Sequence, residues 1–216
     1  NFSIKEAKTL VRRLNAGALP VPITLESQQS IGASLGQESL SASLKAGLIG
    51  FAGVALFMII YYGLPGLIAV LALALYTALN LALYKLIPVT LTLSGIAGFI
   101  LSIGMAVDAN VLIFERLKEE LLRGRPLGSA LDEGFARAWT SIRDSNVTTL
   151  ISCAIMFFTS SSLIKGFALT LAIGVLVSMF SAIIVSRTLL RLVTGWKLLK
   201  NVSLYLPLPV RLRKRT

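Results

Sequence analysis

The sequence predicts an all-α polytopic membrane protein. Five transmembrane helices carry it, with a short α+β extracytoplasmic piece at the N-terminus. Three observations lead there. The 216 residues are 55% hydrophobic and only 14% charged, whereas soluble domains run at about 45–50% apolar and about 25% charged. Mean hydropathy is +0.80, more apolar surface than a soluble fold of this size can hide. Of the 21 Lys and Arg residues, against 10 Asp and Glu, fourteen lie in two stretches that flank apolar segments.

Residues 1–45 form the first region. Ser3-Ile4-Lys5-Glu6 reads as a capping box, with Ile4, Ala7, Leu10, Val11 and Leu14 at helical spacing and Gly17 as a stop. Pro20 and Pro22 open an extended segment from Val21 to Ile31. One helix and one or two strands cannot bury a core alone, so this region reads as the end of a larger domain. The first residue, Asn1, is not a methionine, which predicts a fragment or a processed piece. Ser34 to Lys45 is a Ser-rich lead-in.

The transmembrane bundle is expected over 46–190, judged against the roughly 20 residues that cross a bilayer. Its spans are about 46–62, 67–86, 91–114, 146–163 and 167–190. Between the third and fourth lies a connector, 115–145, in which Glu115 to Leu122 continue the third helix. Leu127, Ala130, Leu131, Phe135, Ala138, Trp139 and Ile142 then form an apolar stripe, the pattern of an amphipathic helix at the membrane interface. The region 191–216 is a basic tail with Trp196 as an interfacial anchor.

Charge sets the orientation. Six cations lie in 116–145 and eight in 186–216. Five crossings put both stretches on one side, and the positive-inside rule makes that side cytoplasmic. The opposite turns, 86–90 and 163–166, hold one cation, Lys165. The N-terminal region is then extracytoplasmic and the C-terminus cytoplasmic, in a cytoplasmic (inner) membrane. Nucleic acid is not an expected partner, because the basic residues flank apolar spans and carry no interleaved aromatics.

Composition also excludes chemistry. Histidine is absent, which removes His-based acid–base catalysis and His-ligated zinc. The single cysteine, Cys153, supports neither a disulfide framework nor a metal cluster. Gly124-Arg-Pro-Leu-Gly128 lacks the GK[ST] element of a phosphate loop. The chain is therefore not expected to be an enzyme, with no metal and no cofactor beyond an ion gradient.

One acid stands apart. Asp108 lies well inside the third span, at a cost of about 2.5–3.5 kcal/mol for a helix centre. Such a group faces a bundle interior or a wet cavity, and proton pathways are a leading use. The alternative is a structural Asp bonded to Ser or Thr neighbours. Asn110, two residues on, points to another face. Gly95, Gly98 and Gly104 let a second helix approach closely. Ser145, Thr148 and Ser152, with Thr149 at the edge, form a hydroxyl stripe on the fourth span, a natural partner for Asp108. The plainer reading has each hydroxyl bonded to its own helix. No Lys or Arg within the spans pairs clearly with Asp108, so a counter-charge would come from another subunit. The remaining connector charges read as a solvated face.

Three stretches resemble the SecD branch of the SecD/SecF family of protein-export membrane proteins. They are Leu14-Asn-Ala-Gly-Ala-Leu-Pro-Val-Pro-Ile23 with Ile31-Gly-Ala-Ser-Leu-Gly36; Gly104-Met-Ala-Val-Asp-Ala-Asn-Val-Leu-Ile-Phe-Glu-Arg116 with Lys118-Glu-Glu-Leu121; and Asp144-Ser-Asn-Val-Thr-Thr-Leu-Ile151. The resemblance implies a resistance-nodulation-division (RND) bundle in which the five spans are helices two to six. It implies a Sec translocon accessory that uses the proton-motive force to promote protein translocation. Its partners would be SecF, the SecYEG translocon, an unfolded preprotein and the lipid bilayer. By motif position, Asp108 matches the proton-handling aspartate, and Asn110, Thr148 and Thr149 match polar positions around it. The SecF half carries an intramembrane Arg whose matching position here falls at Ser141 or a neighbour, so Arg143 is not given that role. The alternative within the superfamily is a proton-driven small-molecule or lipid exporter; a third reading is a non-transporting assembly scaffold.

Overall fold

The computed structural model describes residues 3–15, 33–195 and 202–207. Among them every regular element is helical. Two compact units are present, Asn1–Gly36 and Gln37–Thr216.

In the first unit, helix α1 spans Ile4–Asn15. Its capping box forms as the sequence predicts. Ser3 N donates to Glu6 Oε2 at 2.9 Å, and Glu6 N donates to Ser3 Oγ at 3.3 Å. Those bonds hold the exposed Glu6 carboxyl below its ordinary range. The extended segment Val21–Ile31 lies outside the described residues, as does Trp196. The strand component of the N-terminal α+β piece therefore has no counterpart among the elements described.

The second unit is a helix bundle. Helix α2, Ala33–Tyr62, fuses the Ser-rich lead-in with the first apolar span. Most of its length is exposed, with Leu48, Ile49, Phe57 and Ile60 facing outward, and only its end, Met58 and Tyr62, is buried. The chain reverses at Gly63, whose φ of 65° suits glycine. Helix α3, Leu64–Leu86, starts with Pro65 in its first turn. Gly66 sits so close to the Met58 carbonyl that no Cβ fits there. Helix α4, Leu93–Leu122, is capped by Thr92, whose hydroxyl accepts from Gly95 N at 3.1 Å.

Helix α4 ends in a Schellman motif. Arg125 N bonds Glu120 O, Gly124 N bonds Leu121 O, and Gly124 takes the required positive φ of 83°. The chain turns back into α5, one unbroken helix over Leu127–Thr159. The amphipathic connector and the fourth span, read separately from the sequence, are one helix. Leu131, Phe135, Ala138 and Ile142 of its apolar stripe pack in one core cluster with Ile113, Leu117 and Leu121 of α4. The tight turn at Gly124 forces this antiparallel pairing, and Gly134 admits the α4 backbone, with Leu117 N 3.0 Å from where its Cβ would be.

Among the described residues, four helical stretches are long and apolar enough to cross a membrane: Gly36–Tyr62, Leu64–Leu86, Leu93–Leu122 and Ser162–Gly195. The fifth expected crossing, 146–163, falls short because α5 ends at Thr159 and its first half is polar. The last stretch begins at Ser162, ahead of the expected 167, because the break falls at Ser160-Ser161 and not at Lys165-Gly166. It is built from α6 (Ser162–Phe180), a π-helical turn (Ser181–Ser186) and α7 (Arg187–Gly195). Beyond it, a short 3₁₀ turn at Val202–Tyr205 leads to Leu206, and Tyr205 and Leu206 are buried in the same cluster as Met58 and Tyr62. This piece of the basic tail is therefore part of the core.

Helices α4 and α6 approach most closely at small residues. A Cβ on Gly98 would lie 2.6 Å from Thr170 Oγ1 and 2.7 Å from Phe167 O, and one on Gly95 would lie 3.4 Å from Thr170 Cγ2. Thr170 Oγ1 donates to Gly95 O at 2.8 Å, and Tyr84 OH from α3 donates to Thr170 O at 3.0 Å. Nothing lies within 4 Å of a Cβ on Gly104. That glycine, expected among the packing positions, faces away from this contact.

The α4–α5 hairpin is locked by charge. Glu120 is fully buried (0% exposed). Arg123 Nη1 lies 2.7 Å and Arg137 Nη1 2.5 Å from its Oε1, and Arg125 Nε lies 3.0 Å from Oε2. Arg137 also reaches Glu119 at 3.1 Å, and Arg125 reaches Glu133 at 3.2 Å. The connector charges expected to form a solvated face are thus organised around a buried carboxylate.

Two outcomes follow for stability. Gly98→Leu is expected to destabilise the bundle by about 1–3 kcal/mol through overpacking against the Phe167 carbonyl. Gly104→Ala is expected to be neutral or stabilising by up to about 1 kcal/mol through helix propensity. Thermal unfolding in detergent compares the two. Exchanging Arg123, Arg125 and Arg137 together for Gln strands the Glu120 charge and is expected to cost about 3–5 kcal/mol, whereas Glu120→Gln costs less because no buried charge is left unpaired.

Candidate functional site

Asp108 lies at the midpoint of α4, about 22 Å from each end at 1.5 Å per residue. Its side chain is exposed on the chain surface. It lines a cleft between α4 and α5 of about 50 Å³, together with Met105, Ala109, Leu112, Ser141, Ile142, Ser145 and Asn146. That volume admits a few water molecules, at about 10–15 Å³ each. The polar lining, Ser141, Ser145 and Asn146, comes entirely from α5. No hydrogen bond or ion pair engages the Asp108 carboxylate among the described residues.

The other sequence-derived positions separate. Asn110 is buried on the opposite side of α4. Its Nδ2 donates to Ala106 O at 3.0 Å, and its Oδ1 accepts from Ser186 Oγ at 2.6 Å. Helical geometry explains this, since residues two apart point nearly opposite ways. Thr148 Oγ1 donates to Asp144 O at 2.9 Å and Thr149 Oγ1 to Ser145 O at 3.1 Å. Ser152 and Thr159 do the same one turn back. These four hydroxyls thus satisfy themselves on their own helix. Only Ser145, at the head of the stripe, shares the cleft with Asp108. Ser141, where the resemblance places the counterpart of an arginine, lines the same cleft with a short hydroxyl side chain.

Two features escaped the sequence reading. One is Glu120, a carboxylate inside a run of connector charges. The other is the π-helical turn. Ser181 Oγ donates to Ala72 O on α3 at 3.3 Å, while Ser186 bonds Asn110 on α4. The five-residue spacing of two serines in an apolar run matches the wider turn, and π-turns recur at functional sites. That spacing was the available signal.

The end of the bundle at α7 carries a further charge cluster. Arg187 Nη2 donates to Asp132 Oδ1 at 3.0 Å, and Arg191 bonds the same oxygen. These bonds, Arg191 first, hold the Asp132 carboxyl below its ordinary range. Arg187 also stacks over Phe135, 5.7 Å from the ring centre.

Known proteins resemble this chain in sequence and in fold. The family described as protein export membrane protein SecD/SecF, C-terminal, matches residues 14–196. The protein translocase subunit SecD of Thermobaculum terrenum is 58% identical over 205 residues, covering 93% of this chain and 40% of its own length. That of Dehalococcoides mccartyi is 54% identical, covering 94% of this chain and 46% of its own. The chain thus spans less than half the length of these relatives. The crystal structure of SecDF, a translocon-associated membrane protein from Thermus thermophilus, superposes with a TM-score of 0.80 at 39% identity, covering 96% of this chain and 28% of that one. SecDF in its super-membrane-facing form gives a TM-score of 0.71 at 43% identity, covering 88% of this chain and 26% of that one. Sequence and fold together place this chain in the SecD/SecF family of protein-export membrane proteins, of which it carries the C-terminal membrane region.

Proposed function

We propose that this chain is the membrane region of a Sec translocation accessory subunit, and that Asp108 takes up and releases the proton that drives it. The observation that carries the reading is a carboxylate at the middle of an apolar helix. It has no ion-pair partner among the described residues and opens into a small polar cleft. Burial raises a carboxyl pKa and a nearby cation lowers it. A group that a moving neighbour alternately covers and pairs therefore changes its proton occupancy with conformation. The open face beside Asp108 is where such a neighbour fits, and SecF supplies it in this reading. The wider partners are the SecYEG translocon and an unfolded preprotein. Ser145 and Asn146 hold water beside the acid, and Asn110, Thr148 and Thr149 stiffen the two helices that frame it.

In the same reading the chain crosses the cytoplasmic membrane five times, with the short apolar part of α5 as the fourth crossing. The basic α4–α5 turn and the tail lie on the cytoplasmic side, by the distribution of Lys and Arg. The SecD names of the relatives favour export of protein over export of a small molecule or lipid.

The test uses the intact protein of which this chain is a part, in membrane vesicles with its translocon. Asp108→Asn is expected to abolish the proton-gradient-dependent part of preprotein export and to leave gradient-independent export intact. Asp108→Glu is expected to restore much of it. Unchanged gradient dependence in the Asn variant overturns the proposal.

A further inference from the structure

We infer that the inner end of the bundle holds a seat for one anionic phospholipid, with Arg187 meeting the phosphate and an apolar cavity taking part of an acyl chain. The cavity, about 210 Å³, lies where α4, α5 and the π-turn meet α7, and its walls include Ile113, Phe135, Trp139, Ile142 and Ile183. All are apolar apart from the indole N–H of Trp139, and Arg187 is the one charged residue lining the space. Half-buried Trp139 and Ile183 leave it open to the outside.

Charge complementarity selects the occupant. Arg187 and Arg191 share the single carboxylate of Asp132, which leaves a surplus positive charge at the cavity. Arg187 Nε is buried with no hydrogen-bond partner among the described residues. A buried donor left unpaired is costly, and a phosphate oxygen is a strong acceptor for a guanidinium. An apolar wall closed by one cation, with an indole at the rim, matches a phospholipid at the headgroup level. The π-turn contributes directly, because Arg187 follows it at once and its geometry sets where the guanidinium points.

This seat shares only Ile142 with the Asp108 cleft and does not depend on the translocation reading. The test therefore reads lipid contact, not export. In the intact protein of which this chain is a part, Trp196→Phe, with any tryptophan outside this chain also exchanged for Phe, leaves Trp139 as the sole tryptophan. The protein is reconstituted in phosphatidylcholine vesicles doped with phosphatidylglycerol or phosphatidylcholine brominated on the acyl chain. Brominated phosphatidylglycerol is expected to quench Trp139 at about fivefold lower mole fraction than brominated phosphatidylcholine, the preference that one cation near the headgroups supplies. Arg187→Gln is expected to erase that preference. Asp132→Asn, which frees the cation from its partner, is expected to keep or enlarge it. Ile183→Phe, which fills the cavity while leaving every charge in place, is expected to weaken quenching by both lipids. Equal quenching by the two lipids, a preference that survives Arg187→Gln, or quenching unmoved by Ile183→Phe overturns the inference.

Discussion

The close approach of α4 to α6 is the contact on which the rest of the bundle depends. In a bilayer, apolar side chains gain little by leaving lipid for one another, so helices associate through close packing and hydrogen bonds. Gly95 and Gly98 remove the side chains that would hold α6 away, and Thr170 fills the space and bonds the Gly95 carbonyl. Once that face of α4 is committed to α6, its opposite face is committed to the outside. Asn110 goes in and Asp108 goes out, although only one residue separates them.

Two acids on the same helix then have opposite fates. Glu120 is buried and held by three arginines. Strong pairing fixes its charge, and a fixed charge serves as a joint between α4 and α5. Asp108 lies about 18 Å away along the helix, at 1.5 Å per residue, and has no such partner. A carboxylate that is to gain and lose a proton must not be satisfied permanently by its own chain. The rigid acid near the α4–α5 turn keeps the hairpin in register, so that the cleft around Asp108 has a defined lining of Ser141, Ser145 and Asn146.

The π-turn end of the bundle shows how irregular helix serves position. The π-turn at Ser181–Ser186 directs one serine to α3 and the other to α4, tying three helices by two hydrogen bonds. It also delivers Arg187 to Asp132 and to the ring of Phe135. A regular helix over the same residues would turn these groups away from one another. Tyr205 and Leu206 close the same end from the tail, a stretch whose basic composition gave no hint of a buried segment.

Much was legible in the residues alone. Apolar length and the placement of Lys and Arg marked the membrane helices, because lipid forces backbone polar groups into helices and charge to the flanks. The capping box at Ser3 and Glu6, the continuation of α4 past Glu115 and the singular position of Asp108 were readable because each is local or rests on composition. Other features were decided only by tertiary structure. The stripe of α5 could face lipid or protein equally well, and the turn at Gly124 chose protein. The hydroxyls of Thr148 and Thr149 could reach across or bond back, and the distance between helices made them bond back. Glu120 looked like any surface acid until two arginines of the α4–α5 turn and one of α5 converged on it. Periodicity says which residues share a face, but what that face meets depends on contacts between distant parts of the chain, and those arise only when the helices pack.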